Sequence, residues 1–124
     1  MNGATEALEI IREGLLRLVT ADPRNSMPAH HGLTIYEAPL LAVAAADDPL
    51  FERFKDPEVV GPEHLSPREW LSDARCVISY FLPFTREIRR SNRELGLPSE
   101  EWVSSRIDGE VFNNVVRQYL LDLV

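Results

Sequence analysis

Apolar positions first recur at helical spacing. Between residues 4 and 20, Leu8, Ile11, Leu15 and Leu18 form one stripe while Glu6, Glu9, Arg12, Glu13 and Arg17 fall mostly elsewhere, which predicts an amphipathic helix. Asp22-Pro23 ends it, so residues 1–21 read as an N-terminal helical element. From Arg24 to Tyr36 turn formers and polar residues replace the pattern, and an irregular, mobile connection is expected. Leu40 to Ala46 reads LLAVAAA. Apolar at every position, too short for a helix and preceded by Pro39, it predicts a strand buried on both faces.

Asp48-Pro49 has the form of a helix start, with the Asp48 carboxylate accepting from orphan N–H groups and Pro49 in the first turn, where its missing donor costs nothing. That short helix is expected to carry Leu50, Phe51 and Phe54 inward until Asp56-Pro57 stops it, and Gly61-Pro62 marks another turn. Ser66-Pro67-Arg68-Glu69 is a capping box, predicting a helix of about two turns with Trp70 and Leu71 facing the core. Cys76 to Leu82 is apolar on both alternating faces apart from Ser79 and predicts an interior strand. Residues Arg86 to Glu94 read as helical or extended, closed by Gly96-Leu97-Pro98. Ser99 caps a final helix, with Glu100 and Glu101 at its positive end. From Trp102 onward Phe112, Val115, Val116, Tyr119, Leu120 and Leu123 keep a helical stripe, with a kink expected at Asp108-Gly109. The stripe runs into the last turn of the sequence. A second copy or a downstream domain is therefore expected to cover it. Together these elements give an α+β fold, a single domain over 1–124, with a long C-terminal helix.

Composition narrows the function. A chain of 124 residues can bury roughly two thirds of its unfolded surface in one core. Cys76 is the only cysteine, so no intramolecular disulfide forms and no cysteine set can hold an iron–sulfur cluster or structural zinc. A net charge of −7 argues against a nucleic-acid partner, and the one basic run, Arg86, Arg89, Arg90 and Arg93, reads as a solvated helix face. No run approaches the ~18 apolar residues of a membrane span and no secretory leader is visible. No membrane partner is expected, and a cytoplasmic location is.

The chemistry-bearing candidates are few. His30-His31 are adjacent, and neighbours in sequence do not face one way, so a metal site would need ligands from elsewhere and none is expected. His64 beside Glu63 has the chemistry of a general acid or base, but also of an ordinary loop histidine. Asp48 is accounted for by capping, and Cys76 by packing at the start of a buried strand. No phosphate loop, dinucleotide fingerprint, nucleophile elbow or H-E-x-x-H is present, so catalytic residues stay unassigned and activity in isolation is not expected. Asn113-Asn114 is an unusual polar pair in an apolar stretch, fit for an interface or a ligand cavity.

The blocks ADDPLF (46–51), VVGPEHLSPREWL (59–71), DARCVISYFLPF (73–84) and SNRELGLPSEEW (91–102), followed by the helix bearing Asn113 and Asn114, occur in an order that resembles the N-terminal portion of the epoxyqueuosine reductase-like iron–sulfur proteins. The resemblance covers residues 35–124. It implies a small mixed sheet flanked by helices, related to corrinoid-binding modules, followed in full-length relatives by ferredoxin-like cysteine motifs for two four-iron clusters. Here the C-x-x-C-x-x-C-x-x-x-C-P motif is absent, so no cluster-borne electron transfer is expected from this chain alone. What the resemblance implies is a module that binds a cofactor or small molecule, with a corrinoid the candidate. Its pocket would lie near the end of the second strand and the start of the last helix, with Tyr80, Pro83, Phe84, Trp102, Asn113 and Asn114 as cofactor-binding candidates. The same residues are also ordinary core and turn residues. A homodimer is expected. The alternatives to the binding module are a non-catalytic interaction protein that self-associates through its last helix and a sheet edge, and an enzyme that works with a separate iron–sulfur partner protein.

Overall fold

The computed structural model describes residues 3–94 and 96–124; Leu95, inside the fourth resemblance block, lies outside the described residues. The chain divides into two compact units, one made of the chain up to Leu40 together with Phe81–Val124, the other of Leu41–Tyr80.

In the first unit, helix α1 (Gly3–Ala21) turns through Asp22 into two short strands, β1 (Ser26–Met27) and β2 (Leu33–Thr34), and the later part contributes α4 (Arg86–Ser91) and α5 (Glu100–Leu123). β1 and β2 are antiparallel, Ser26 opposite Thr34 and Met27 opposite Leu33, joined by a 3-10 turn over Pro28–His30. His31 and Gly32 both take positive φ, 57° and 73°, which lets the chain reverse, and the Gly32 N–H closes the loop on the Met27 carbonyl at 3.0 Å. The expected mobile connection is in fact the centre of this unit. Met27 and Ile35 are fully buried with Ile88, and Leu33, Tyr36, Phe84 and Trp102 pack around them. A pairing of two residues per strand is too short to leave a visible alternation, so the turn formers around it dominate the sequence signal.

Asn25 holds this arrangement. Buried at 3% exposure, its amide donates to the carbonyls of Val19 (2.9 Å) and Tyr36 (3.0 Å), and its carbonyl accepts from the Tyr36 N–H (2.9 Å). The Val19 carbonyl belongs to the last turn of α1, where helical partners run out, so one side chain caps a helix and pins the following strand.

Helix α5 packs on α1, α4 and β1 through Ser105, Gly109, Phe112 and Val116, all buried. Ser99 caps it as expected, accepting from the Trp102 N–H at 3.0 Å. At Asp108-Gly109, where a kink was expected, the helical assignment continues without interruption. The helix runs unbroken from Glu100 to Leu123, and Gly109 serves close packing. Of the stripe read from the sequence, Phe112 and Val116 are buried, Val115, Tyr119 and Leu120 are half-buried and Leu123 is exposed, with Leu15 and Val19 the buried residues of α1.

The second unit contains α2 (Pro49–Arg53), α3 (Pro67–Trp70) and most of the strands β3 (Leu40–Ala45) and β4 (Cys76–Phe81), which form a two-stranded sheet. The Ala46 N–H donates to the Arg75 carbonyl at 3.0 Å where β3 ends and β4 begins, as an antiparallel pair requires. Among the described residues the strands thus form two separate pairs within an α+β fold.

Four burial expectations are corrected here. β3 and β4 are edge strands, not interior ones, because each has one neighbour, and Leu40, Val43, Phe81 and Cys76 are exposed. α3 is a single turn rather than two, and Trp70 (76% exposed) and Leu71 face solvent. Leu50 and Phe54 on and after α2 are exposed, with Phe51 half-buried. A continuous apolar run signals burial on both faces only where layers exist to provide it, and helices of four and five residues are too short to form one. The caps themselves are as read. The Asp48 carboxylate accepts from the Leu50 N–H at 2.9 Å, and Glu69 reaches back to the Ser66 N–H at 3.1 Å and hydroxyl at 2.8 Å.

Candidate functional site

Four aromatic residues converge in the first unit. Tyr36 stacks on Phe84 with ring centres 5.2 Å apart and planes 15° from parallel, Phe84 meets Trp102 edge-on at 5.1 Å, and Tyr36 approaches Phe112 at 6.2 Å. Backbone pairing places Phe84: Tyr36 and Phe84 form an antiparallel bridge, and the Glu37 N–H donates to the Pro83 carbonyl at 2.8 Å. Thr85 then locks the corner, its hydroxyl donating to the Thr34 carbonyl at 2.8 Å and its N–H to the Ile35 carbonyl at 2.9 Å. Two of the sequence candidates, Phe84 and Trp102, are therefore brought into contact, packed against the Met27, Ile35 and Ile88 core.

The other candidates are dispersed. Pro83 serves through its carbonyl. Tyr80 is half-buried near the end of β4 in the second unit. Asn113 is half-buried on α5, whereas Asn114 is exposed and accepts from Arg117 Nη1 at 2.7 Å. Asn114 also lines an open depression of about 480 Å³ with Leu18, Arg24, Gln118 and Tyr119. A second open depression, about 470 Å³, is also lined by Leu18 and Tyr119, with Gly14 and Asp22. The Tyr119 hydroxyl crowds the point a Cβ on Gly14 would occupy.

Among the described residues two carboxylates are strongly acidified. Asp22 is held at about 2, below its ordinary 3.8, first by the Arg24 guanidinium, which makes two hydrogen bonds to it at 3.0 and 2.7 Å, and then by the Arg24 N–H. Glu69 is likewise lowered to about 2 by the Lys55 ammonium and then by the Ser66 N–H and hydroxyl. Both hold structure at helix ends. His30 Nε2 lies 2.9 Å from the Ser104 hydroxyl, tying the 3-10 turn to α5, while its neighbour His31 is exposed. His64 packs edge-on against Phe54 at 5.4 Å, and Phe54 against Phe51 at 6.2 Å. Among the described residues no three His, Cys, Asp or Glu side chains converge as a metal site. The basic run on and after α4 is exposed, with Arg89 reaching Glu37 at 3.5 Å.

Most of the exposed apolar surface had no place among the sequence candidates. In the second unit Ala46, Gly61 and Ser66 are the only buried residues, while Leu50, Val59, Val60, Leu65, Trp70 and Leu71 are exposed. Along α5, Val103, Ile107, Val111 and Leu121 are exposed on the side opposite the buried stripe. The spacing of 103, 107 and 111 was the signal for that second stripe, and Phe112 and its neighbours drew attention away from it. No helix among the described residues is long and apolar enough to cross a membrane. No protein-family model matches the chain, and no curated protein or solved structure matches it.

Proposed function

We propose that the protein is a binding module of the epoxyqueuosine reductase-like kind, which holds a corrinoid or a similar large amphipathic cofactor. Redox chemistry falls to a separate iron–sulfur protein. The observation that carries this reading is the burial pattern of the Leu41–Tyr80 unit, where no large apolar side chain is buried and Trp70 is 76% exposed. Surface of that kind gains free energy from an apolar cover. A corrin macrocycle fits the requirement, since its bulk contacts apolar side chains while its polar periphery stays hydrated. Eight carboxylates against four basic side chains in this unit disfavour a ligand held mainly through phosphate. The lone Cys76 does not fit an iron–sulfur cluster, which needs several thiolates.

The test is an absorbance titration with a soluble corrinoid. A saturable shift of the corrin bands at micromolar protein is expected, and unchanged bands would reject the reading.

A further inference from the structure

Helices α1 and α5 pack together and leave beside Tyr119 the open depression of about 470 Å³, a volume within the range of small-ligand sites. α1 lines it with Gly14, Arg17, Leu18 and Ala21, three and four residues apart and so on one side of the helix. Leu18, Ala21, Pro23 and the Tyr119 ring supply apolar surface, while Arg17 and Asp22 supply charge. Gly14 admits the phenol, whose hydroxyl crowds the point a Cβ there would occupy. Cβ positions three apart on a helix are about 5–6 Å from one another, so the Tyr119 hydroxyl and the Arg17 guanidinium can reach one bound group.

Both groups are open to a ligand. Among the described residues neither the Arg17 guanidinium nor the Tyr119 hydroxyl has a hydrogen-bond or ion-pair partner, and the hydroxyl is not sealed from solvent. Glu13, one turn before Arg17, makes no ion pair with it and does not line the depression. The negative charge of Asp22 is already matched, because both its oxygens accept from Arg24: Oδ1 from the backbone N–H at 2.9 Å and from Nε at 3.0 Å, Oδ2 from Nη2 at 2.7 Å. The neighbouring depression of about 480 Å³ offers no comparable donor. Its Arg24 is bound to Asp22, its Asn114 to Arg117 and its Gln118 to Asp122, whose carboxylate also lines that depression.

We infer that the depression at Arg17 and Tyr119 binds a small organic acid with one carboxylate and an apolar body the size of a ring. The carboxylate accepts two parallel N–H bonds from the Arg17 guanidinium, whose planar fork matches it, and one from the Tyr119 hydroxyl. The apolar body lies on Leu18, Ala21 and Pro23 and takes their surface out of water. One cation and one neutral donor balance a single negative charge, and a chain of net charge −7 repels a second, so phosphate esters and dicarboxylates are disfavoured. The site belongs to the first unit and does not depend on the corrinoid reading of the second.

The probe is 3-phenylpropionate, titrated into the isotope-labelled protein and followed by amide NMR shifts. Saturable shifts at residues 14–23 and around Tyr119 are expected, with a dissociation constant on the order of 1 mM, the scale for so small a ligand at an open site. The neutral 3-phenylpropionamide, alike in size and shape, should bind about tenfold more weakly. Arg17→Gln changes an exposed position to another good helix former, so the circular dichroism and melting temperature should stay unchanged. That variant should weaken the acid about tenfold and leave the amide unaffected, and Tyr119→Phe should weaken the acid about threefold. Shifts that do not saturate or that fall in the Leu41–Tyr80 unit, equal affinities for acid and amide, or undiminished binding of the acid by Arg17→Gln would each overturn the inference. Should a variant fail to fold, the comparison of acid with amide in the parent protein decides.

Discussion

The phenol oxygen of Tyr36 stands 2.5 Å from the point a Cβ on Gly109 would occupy, so α5 admits the ring only because residue 109 has no side chain. The ring cannot simply withdraw. It is stacked on Phe84 and flanked by Phe112, and the next closest atoms to that point belong to the same ring and to Ile35. A glycine in mid-helix costs about 1 kcal/mol relative to alanine. Here the cost is offset by the close approach of the Tyr36 ring that it permits.

Gly109→Ala should accordingly destabilise the protein by about 1–2 kcal/mol despite the better helix propensity of alanine, since overpacking outweighs it. Thermal denaturation of Gly109→Ala, Tyr36→Phe and the double variant measures the effect. The alanine should cost about 1 kcal/mol less once the tyrosine oxygen is gone. A melting temperature raised by Gly109→Ala in the Tyr36 background would show that the contact is loose.

Asn25→Ala should cost about 2–4 kcal/mol, because it strands the Tyr36 N–H and two carbonyls in a buried setting. Asn25→Asp should be nearly as damaging, since aspartate keeps the acceptor but offers no donors to the carbonyls of Val19 and Tyr36. Urea denaturation midpoints within experimental error of the parent would refute the bridging role.

Glu69 should titrate near 2 rather than at its ordinary 4.5, chiefly because the Lys55 ammonium bonds to its ionised form. The folded value lies below the unfolded one, so its contribution to stability is complete above about 4.5 and is lost as the pH falls through about 2. The carboxyl carbon shift of Glu69, followed by NMR against pH, reads this directly. A midpoint at 4.5 would mean that the Ser66 cap is open in solution.

Cys76 should react with an aromatic disulfide reagent in the native protein as fast as a free thiol peptide, to within about threefold, because its side chain is exposed on an edge strand. Protection that disappears only in denaturant would place it inside an interface or a core.

The elements legible in the sequence were those whose signals are local. The caps at Asp48, Ser66 and Ser99 and the spacing of Leu15 and Leu18 in α1 depend on residues within one or two turns, and the structure has them in place. Burial was less legible, because it depends on what lies opposite. LLAVAAA and the run from Cys76 read as interior strands, yet the sheet that receives them has two strands and open faces. Met27 and Ile35 were hidden in the opposite way, two apolar residues among turn formers whose burial rests on Asn25, a residue that reads as a turn former itself. Of the candidate site residues, Phe84 and Trp102 are in ring contact with each other. Their partner Tyr36 lies about 50 residues upstream of Phe84 in sequence and could not be associated with it by spacing.

The most direct test of the binding proposal compares corrinoid titrations of the parent protein and Trp70→Ser. Trp70 is exposed, so its replacement should leave the fold and melting temperature unchanged. The proposal predicts a saturable shift of the corrin absorbance at micromolar concentration in the parent, and an affinity weakened at least about tenfold in the variant, the scale of one lost aromatic contact in a binding surface. An absorbance that stays flat in the parent, or identical saturation curves for the two proteins, would contradict it.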